Sequence, residues 1–202
     1  MEILVINITN WIGYHITNRL LEEGYEVKGL MTEEAGGHLL HFFKRNSNFQ
    51  LLENPGDEFY ETVICVGRFP EYPVEIGRLI LINSRKAPPG ITDTLTIQSP
   101  YLFGEWMPMN ADGYYEKERW LAFNSTDFKE NGLYIDDFLQ PLISWLKQNP
   151  STDDIQIRSA RAKKREKLEK FFFVKENKPI EDNVQQVLSH YERFKDLYPS
   201  ID

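Results

Sequence analysis

The 202-residue sequence has one cysteine, Cys65, so it cannot build an internal disulfide framework, and this usage suits a reducing cytoplasm. It has no run of roughly 18 apolar residues, and Met1-Glu2 leads straight into an apolar stretch, so neither a membrane-spanning helix nor a secretory leader is expected. Without a leader, the acceptor pattern Asn124-Ser125-Thr126 reads as a coincidence. Positive charge is in deficit, 23 Lys and Arg against 31 Asp and Glu for a net −8, which argues against general nucleic-acid binding. The local exception is residues 158–170, with seven basic and two acidic side chains, read as a solvated face or, alternatively, as a seat for an anionic ligand. Histidines number four, and only His38 and His41 lie close in sequence. No carboxylate or cysteine beside them completes a ligand set, so no metal site is expected.

Apolar content of 41% and aromatic content of 13% can supply a core, and the length suits a single domain over 1–202. Residues 3–6 form a continuous apolar, β-branched run, as in a strand buried on both faces. A tight turn is expected at 7–10, followed by a helix with the apolar stripe Ile12, Ile16, Leu20 and Leu21. Gly24 ends that helix, and 25–30 form a second strand. A strand, a helix and a strand within about thirty residues make the unit on which dinucleotide-binding domains are built. Downstream, a helix-like segment is expected at 38–45, with strands at 49–52, 60–67, 78–84, from 95 onward, and at 154–158. Helices are expected at 137–148, with Asp136 as N-cap and Pro141 in the first turn, and at 160–170 and 178–194. Residues 114–121 read as an amphipathic helix with Tyr114, Trp120 and Leu121 packed inward. On such a helix Tyr115 and Arg119 would share one face.

The frame Ile6-Asn7-Ile8-Thr9-Asn10-Trp11-Ile12-Gly13 resembles the T-G-x-x-G-F-I-G opening of the NAD-dependent epimerase/dehydratase family, the extended short-chain dehydrogenases. Later segments follow in the family's order. Residues 60–67 are similar to its D-x-V-I-H-L-A strand, 78–84 to its serine-ended strand and 102–105 to its V-Y-G-P turn. Residues 131–138 are similar to its R-D-F-x-Y-V-D-D motif, and 178–194 to its closing helix. The resemblance implies an α/β fold, a Rossmann-like doubly wound parallel sheet with a small C-terminal lobe. It divides the chain into a Rossmann-like core at 1–100 and a mixed part at 101–202 that ends in substrate-lobe-like helices. It also implies an NAD or NADP cofactor touching Asn7, Thr9, Asn10, Trp11, Ile12, Gly13, Cys65, Gly67 and Ser84, with a nucleotide or nucleotide-sugar ligand. Glu33 falls near the place of the family's ribose-binding residue, and two adjacent carboxylates at 33–34 speak against NADP.

Two departures from the family bear on activity. Only Gly13 survives of the three glycines. Asparagine at 7 and 10 can hold the positive φ of the turn, but its side chain crowds the space of phosphate oxygens. The family's catalytic Tyr-x-x-x-Lys helix lies between the serine-ended strand and the next, and here only 85–91 join them. No catalytic residue is therefore assigned. The expectation is a non-catalytic, nucleotide-binding or regulatory and interaction module. The alternative is an NAD(P)-dependent nucleotide-sugar epimerase, dehydratase or reductase with a rearranged site, in which Arg158 and Arg161 contact phosphate. The helices missing around 68–77 and 85–91 would leave a sheet face to be covered by Pro-rich loops or by a protein partner.

Overall fold

The computed structural model describes residues 1–32, 37–70, 75–84, 88–116, 119–148, 153–162 and 171–199. Two compact units emerge, Met1–Gln98 with Gln148–Ile155, and Ser99–Lys147 with Gln156–Asp202.

In the first unit the chain runs through β1 (Glu2–Ile6), α1 (Trp11–Glu22), β2 (Glu26–Leu30), β3 (Phe49–Leu52), β4 (Phe59–Val66), β5 (Glu75–Ile82) and β6 (Thr94–Gln98). The strands form one parallel sheet in the order β6-β5-β4-β1-β2-β3. The order reverses between β1 and β4, which creates a crevice at the carboxyl ends of those strands. Ile3, Leu4, Val5 and Ile6 are all fully buried, as the unbroken apolar run requires. Helix α1 buries Ile12, Ile16 and Leu20 and closes with Gly24 at φ +82°. The segment 38–45 becomes a 3-10 helix, Gly37–Phe42.

Alternate residues Leu4 and Ile6, Val63 and Cys65, and Leu79 and Leu81 share one sheet face. Phe69, just after β4, and Ile91, just before β6, pack on that face. Loop residues thus lie where two helices were expected to be missing.

The second unit contains β7 (Tyr101–Phe103), β8 (Gly113–Glu116), β9 (Arg119–Ala122), α2 (Thr126–Asn131), β10 (Gly132–Tyr134) and α3 (Ile135–Lys147). Strand β11 (Asp154–Ser159) begins in the first unit, where the Thr96 N–H donates to the Asp153 carbonyl at 2.8 Å, and ends in the second. It pairs in parallel with β12 (Phe171–Val174), and α4 (Ile180–Phe194) follows.

Three expectations are corrected in this unit. Residues 114–116 and 119–121 belong to the antiparallel pair β8–β9, not to a helix, with Tyr114 opposite Leu121 and Tyr115 opposite Trp120. Strand periodicity buries the first pair and leaves Tyr115 and Trp120 53% and 37% exposed. Helix α3 begins at Ile135, so Asp136 sits inside its first turn instead of capping it, and Pro141 lies two residues deeper than expected, beyond the first turn. Residues 160–162 form a turn after β11, and the rest of the expected helix, 163–170, lies outside the described residues.

Candidate functional site

The carboxyl ends of β1, β4 and β5 all finish on a left-handed residue: Asn7 at φ 70°, Gly67 at φ 79° and Asn83 at φ 57°. Each donates its N–H to a neighbouring strand, Asn7 to Leu30 at 2.8 Å, Gly67 to Ile82 at 2.8 Å and Asn83 to Ile97 at 2.9 Å. The backbone then leaves the sheet. Asparagine tolerates this conformation because its short side chain bonds locally, and glycine because it has no Cβ. The sequence pointed to Asn7 and Gly67. Asn83 was not singled out, although asparagine at the end of an apolar strand is itself a signal for this step.

The β1–α1 turn closes when the Asn10 N–H donates to the Asn7 carbonyl at 3.2 Å. Asn10 is the N-cap of α1, and its Oδ1 accepts the Ile12 N–H at 2.9 Å. Asn7 donates through Nδ2 to the Val66 carbonyl at 3.2 Å, tying the end of β1 to the end of β4. The Asn7 Oδ1 is buried and has no hydrogen-bond partner among the described residues. Gly13 is kept for steric reasons, since a Cβ there would stand 2.2 Å from the Asn7 carbonyl oxygen.

All nine expected cofactor-contact positions lie along this edge or next to it. Asn7, Thr9, Asn10, Trp11, Ile12 and Gly13 make up the turn and the first turn of α1, with Thr9 buried. Cys65 and Gly67 belong to the end of β4, where Cys65 stands opposite Ile6. The Cys65 Sγ lies 3.6 Å from the Arg68 carbonyl oxygen, and burial pushes the thiol up to about 12, so it is not a nucleophile at neutral pH. Ser84 follows Asn83 and is buried, and its carbonyl accepts from Gln98 Nε2 at 2.6 Å. Glu33 and Glu34 lie outside the described residues.

Residues 83–93 join β5 to β6, and among the described ones there is no helix, only a turn at 89–90 with Gly90 at φ 91°. Tyr115 and Arg119 do not share a helix face. Tyr115 packs against the Trp120 ring, and Arg119 pairs with Asp127 at 2.8 Å. Among the described residues, no group of three His, Cys, Asp or Glu side chains is placed to hold a metal ion.

In the second unit the Arg161 guanidinium makes three internal contacts. Its Nη1 and Nη2 donate to the Lys129 and Gly132 carbonyls at 2.8 and 2.5 Å, closing the end of α2, and Nε meets Glu176 at 3.1 Å. The Arg158 guanidinium lies 5.0 Å over the Phe171 ring.

Sequence reasoning took Asp137 for a helix-end residue. It is buried at 2% exposure, and its Oδ1 accepts the Asn177 backbone and side-chain N–H groups at 3.1 and 2.8 Å. Its Oδ2 is buried with no hydrogen-bond partner among the described residues. Burial foremost raises the carboxyl above its ordinary range, the Asn177 bonds oppose this, and the nearby charges of Glu176 and Asp136 add to it. A raised native pKa means the native state holds the proton where the unfolded chain has lost it. The stabilisation is complete below the unfolded pKa and is lost as pH rises through the native one. Asp137→Asn keeps the oxygen that accepts from Asn177 and removes the titration. Thermal melts from acid to neutral pH are expected to fall less steeply for this variant, and parallel curves would refute the assignment.

A parallel sheet whose strand order reverses beside β1, with a helix after the first strand, defines a Rossmann-like α/β fold. More specifically, the chain has the fold of the NAD-dependent epimerases and dehydratases. It superimposes on a UDP-glucose 4-epimerase from Thermotoga maritima bound to UDP-glucose, with TM-score 0.58, 11% identity, 96% of this chain and 100% of that one. It also matches a dTDP-glucose 4,6-dehydratase from Bacillus anthracis in complex with NAD, with TM-score 0.56, 9% identity and 98% of each chain. The yeast methylglyoxal/isovaleraldehyde reductase complexed with NADPH aligns with TM-score 0.54, 10% identity, 97% of this chain and 100% of that one. No protein-family model matches the sequence, and neither does any curated protein. No helix among the described residues is long and apolar enough to cross a membrane.

Proposed function

We propose that this protein is a non-catalytic relative of the epimerases and dehydratases, with the fold kept as a nucleotide-binding or regulatory and interaction module. The observation that carries this reading is the link from β5 to β6. Spanning residues 83–93, with a Pro-Gly turn within it, it leaves no room for a helix presenting tyrosine and lysine on one face. Cys65, at the end of β4, does not stand in for that pair, because burial pushes its thiol up to about 12. The single cysteine supports placing this module in a reducing cytoplasm. A protein partner would meet the loops carrying Phe69 and Ile91 instead of a bare sheet.

The test is turnover. Purified protein is incubated with NAD or NADP and UDP-glucose, UDP-galactose or dTDP-glucose, and nicotinamide absorbance and sugar products are followed. The expected result is no rate above background, and a rate that scales with protein concentration would sink the proposal. A second reading, an enzyme with a rearranged site, draws support from the left-handed endings of β1, β4 and β5, where the backbone leaves the sheet, and from Ser84 beside them. A positive turnover assay would favour it, and Ser84→Ala would then be the first variant to make.

A further inference from the structure

The fold implies a dinucleotide, whose pyrophosphate would be seated at the β1–α1 turn, and the residues there do not fit that group. An anion at a helix N-terminus needs backbone N–H groups pointing at it and a backbone bare enough to come close. In this turn the Ile12 N–H is already taken by Asn10 Oδ1 at 2.9 Å, so a side-chain oxygen stands where a phosphate oxygen would. The Asn7 side chain, 8% exposed, spans from the end of β1 to the Val66 carbonyl at 3.2 Å and fills the space a glycine would leave open. Its Oδ1 has no hydrogen-bond partner among the described residues, so the turn gains a buried acceptor where a phosphate requires donors. The first turn of α1, Trp11-Ile12-Gly13-Tyr14, has no lysine or arginine to offset this.

We infer that Asn7 and Asn10 are specificity-determining residues that exclude a pyrophosphate from this turn. The backbone beneath them keeps the path of a phosphate-binding turn, because Asn7 holds the left-handed φ and Gly13 allows the close approach of α1. The exclusion therefore lies in two side chains. The inference rests on the non-catalytic reading above and narrows it, because it removes nucleotides that carry a pyrophosphate from the ligands such a module would hold at this turn.

Removing the two side chains together is the test. The parent and Asn7→Gly/Asn10→Gly are titrated calorimetrically with NAD, NADH, NADP, NADPH and ADP, the last being the smallest pyrophosphate probe. The parent is expected to show no saturable heat at millimolar ligand, and the double variant to gain at least about tenfold in affinity for one or more of them. Saturable binding by the parent would overturn the inference. So would a double variant that keeps the parent's circular dichroism and gains nothing. If the double variant does not fold, Asn10→Gly alone is titrated, because glycine is well tolerated at an N-cap and this change frees the Ile12 N–H. A gain supports the exclusion, and no gain overturns the part of it assigned to Asn10. Binding by the parent without turnover overturns the exclusion and leaves the non-catalytic reading standing, and turnover by the parent overturns both.

Discussion

Gly13→Ala is expected to cost about 3 kcal/mol or more and to leave little folded first unit at ambient temperature. The alanine methyl would lie 2.2 Å from the Asn7 carbonyl oxygen, 3.1 Å from its carbon and 3.2 Å from the Ile8 Cα. All three are main-chain atoms of the turn, so no rotamer change can relieve the clash. Either α1 lifts off β1 or the turn opens, and opening breaks the Asn10-to-Asn7 bond and displaces the fully buried Ile8. Gly24→Ala is the proper comparison. Its φ is +82° but nothing lies within 4 Å of its added Cβ, so only backbone strain of about 1 kcal/mol is expected. Urea unfolding followed by far-ultraviolet circular dichroism measures both. If Gly13→Ala cost no more than Gly24→Ala, the steric account of the surviving glycine would be wrong.

Phe128→Ala should produce a loss of similar size in the second unit, about 4 kcal/mol. Phe128 is fully buried and sits at the centre of a ring cluster, 5.0 Å from Phe103, 5.3 Å from Phe123 and 6.3 Å from Tyr114 between centroids. Its ring also packs where Gly132 leaves the short α2 and enters β10, and a Cβ on Gly132 would come within 3.0 Å of it. The cavity left by alanine thus loosens a helix, a strand and a hairpin together. Phe172→Ala, at a ring that is 40% exposed, should cost under about 1 kcal/mol in the same urea titration. Equal losses at the two positions would refute the picture of a packed cluster around Phe128.

The first unit was legible in the sequence because its signals are local. Four buried aliphatic residues in a row, a tight turn, a stripe at helical spacing and a closing glycine specify β1–α1–β2 without help from elsewhere. Asn10, however, caps the helix at φ −66° instead of holding the expected positive φ. The hairpin was not legible. Tyr114, Tyr115, Trp120 and Leu121 fit a helical stripe and a strand alternation equally well over so short a segment, and the cross-strand partners decided the outcome. In the candidate site, the crowding of the turn by asparagine could be read from the two missing glycines. The direction of each side chain could not, because Asn7 finds its partner 59 residues away at Val66. Asp137 was missed for the same reason, since its environment is made by Asn177. Trp106 at φ 65° had no sequence signal at all. Large residues avoid that conformation, and here the rings of His190, Phe194 and Tyr198 hold it in place.

The bond from the Ile12 N–H to Asn10 Oδ1 has a thermodynamic meaning beyond the shape of the turn. A helix terminus that waits for an anion gains stability in proportion to the logarithm of how much ligand is present, so its order rises and falls with the cell's supply. Here the occupant is tethered two residues from the group it occupies, and its effective concentration is set by the chain itself. Starvation, dilution or purification does not remove it. If the turn excludes a pyrophosphate as inferred above, the melting temperature of the first unit is indifferent to dinucleotide, and a rise on adding NAD or NADP would refute that consequence.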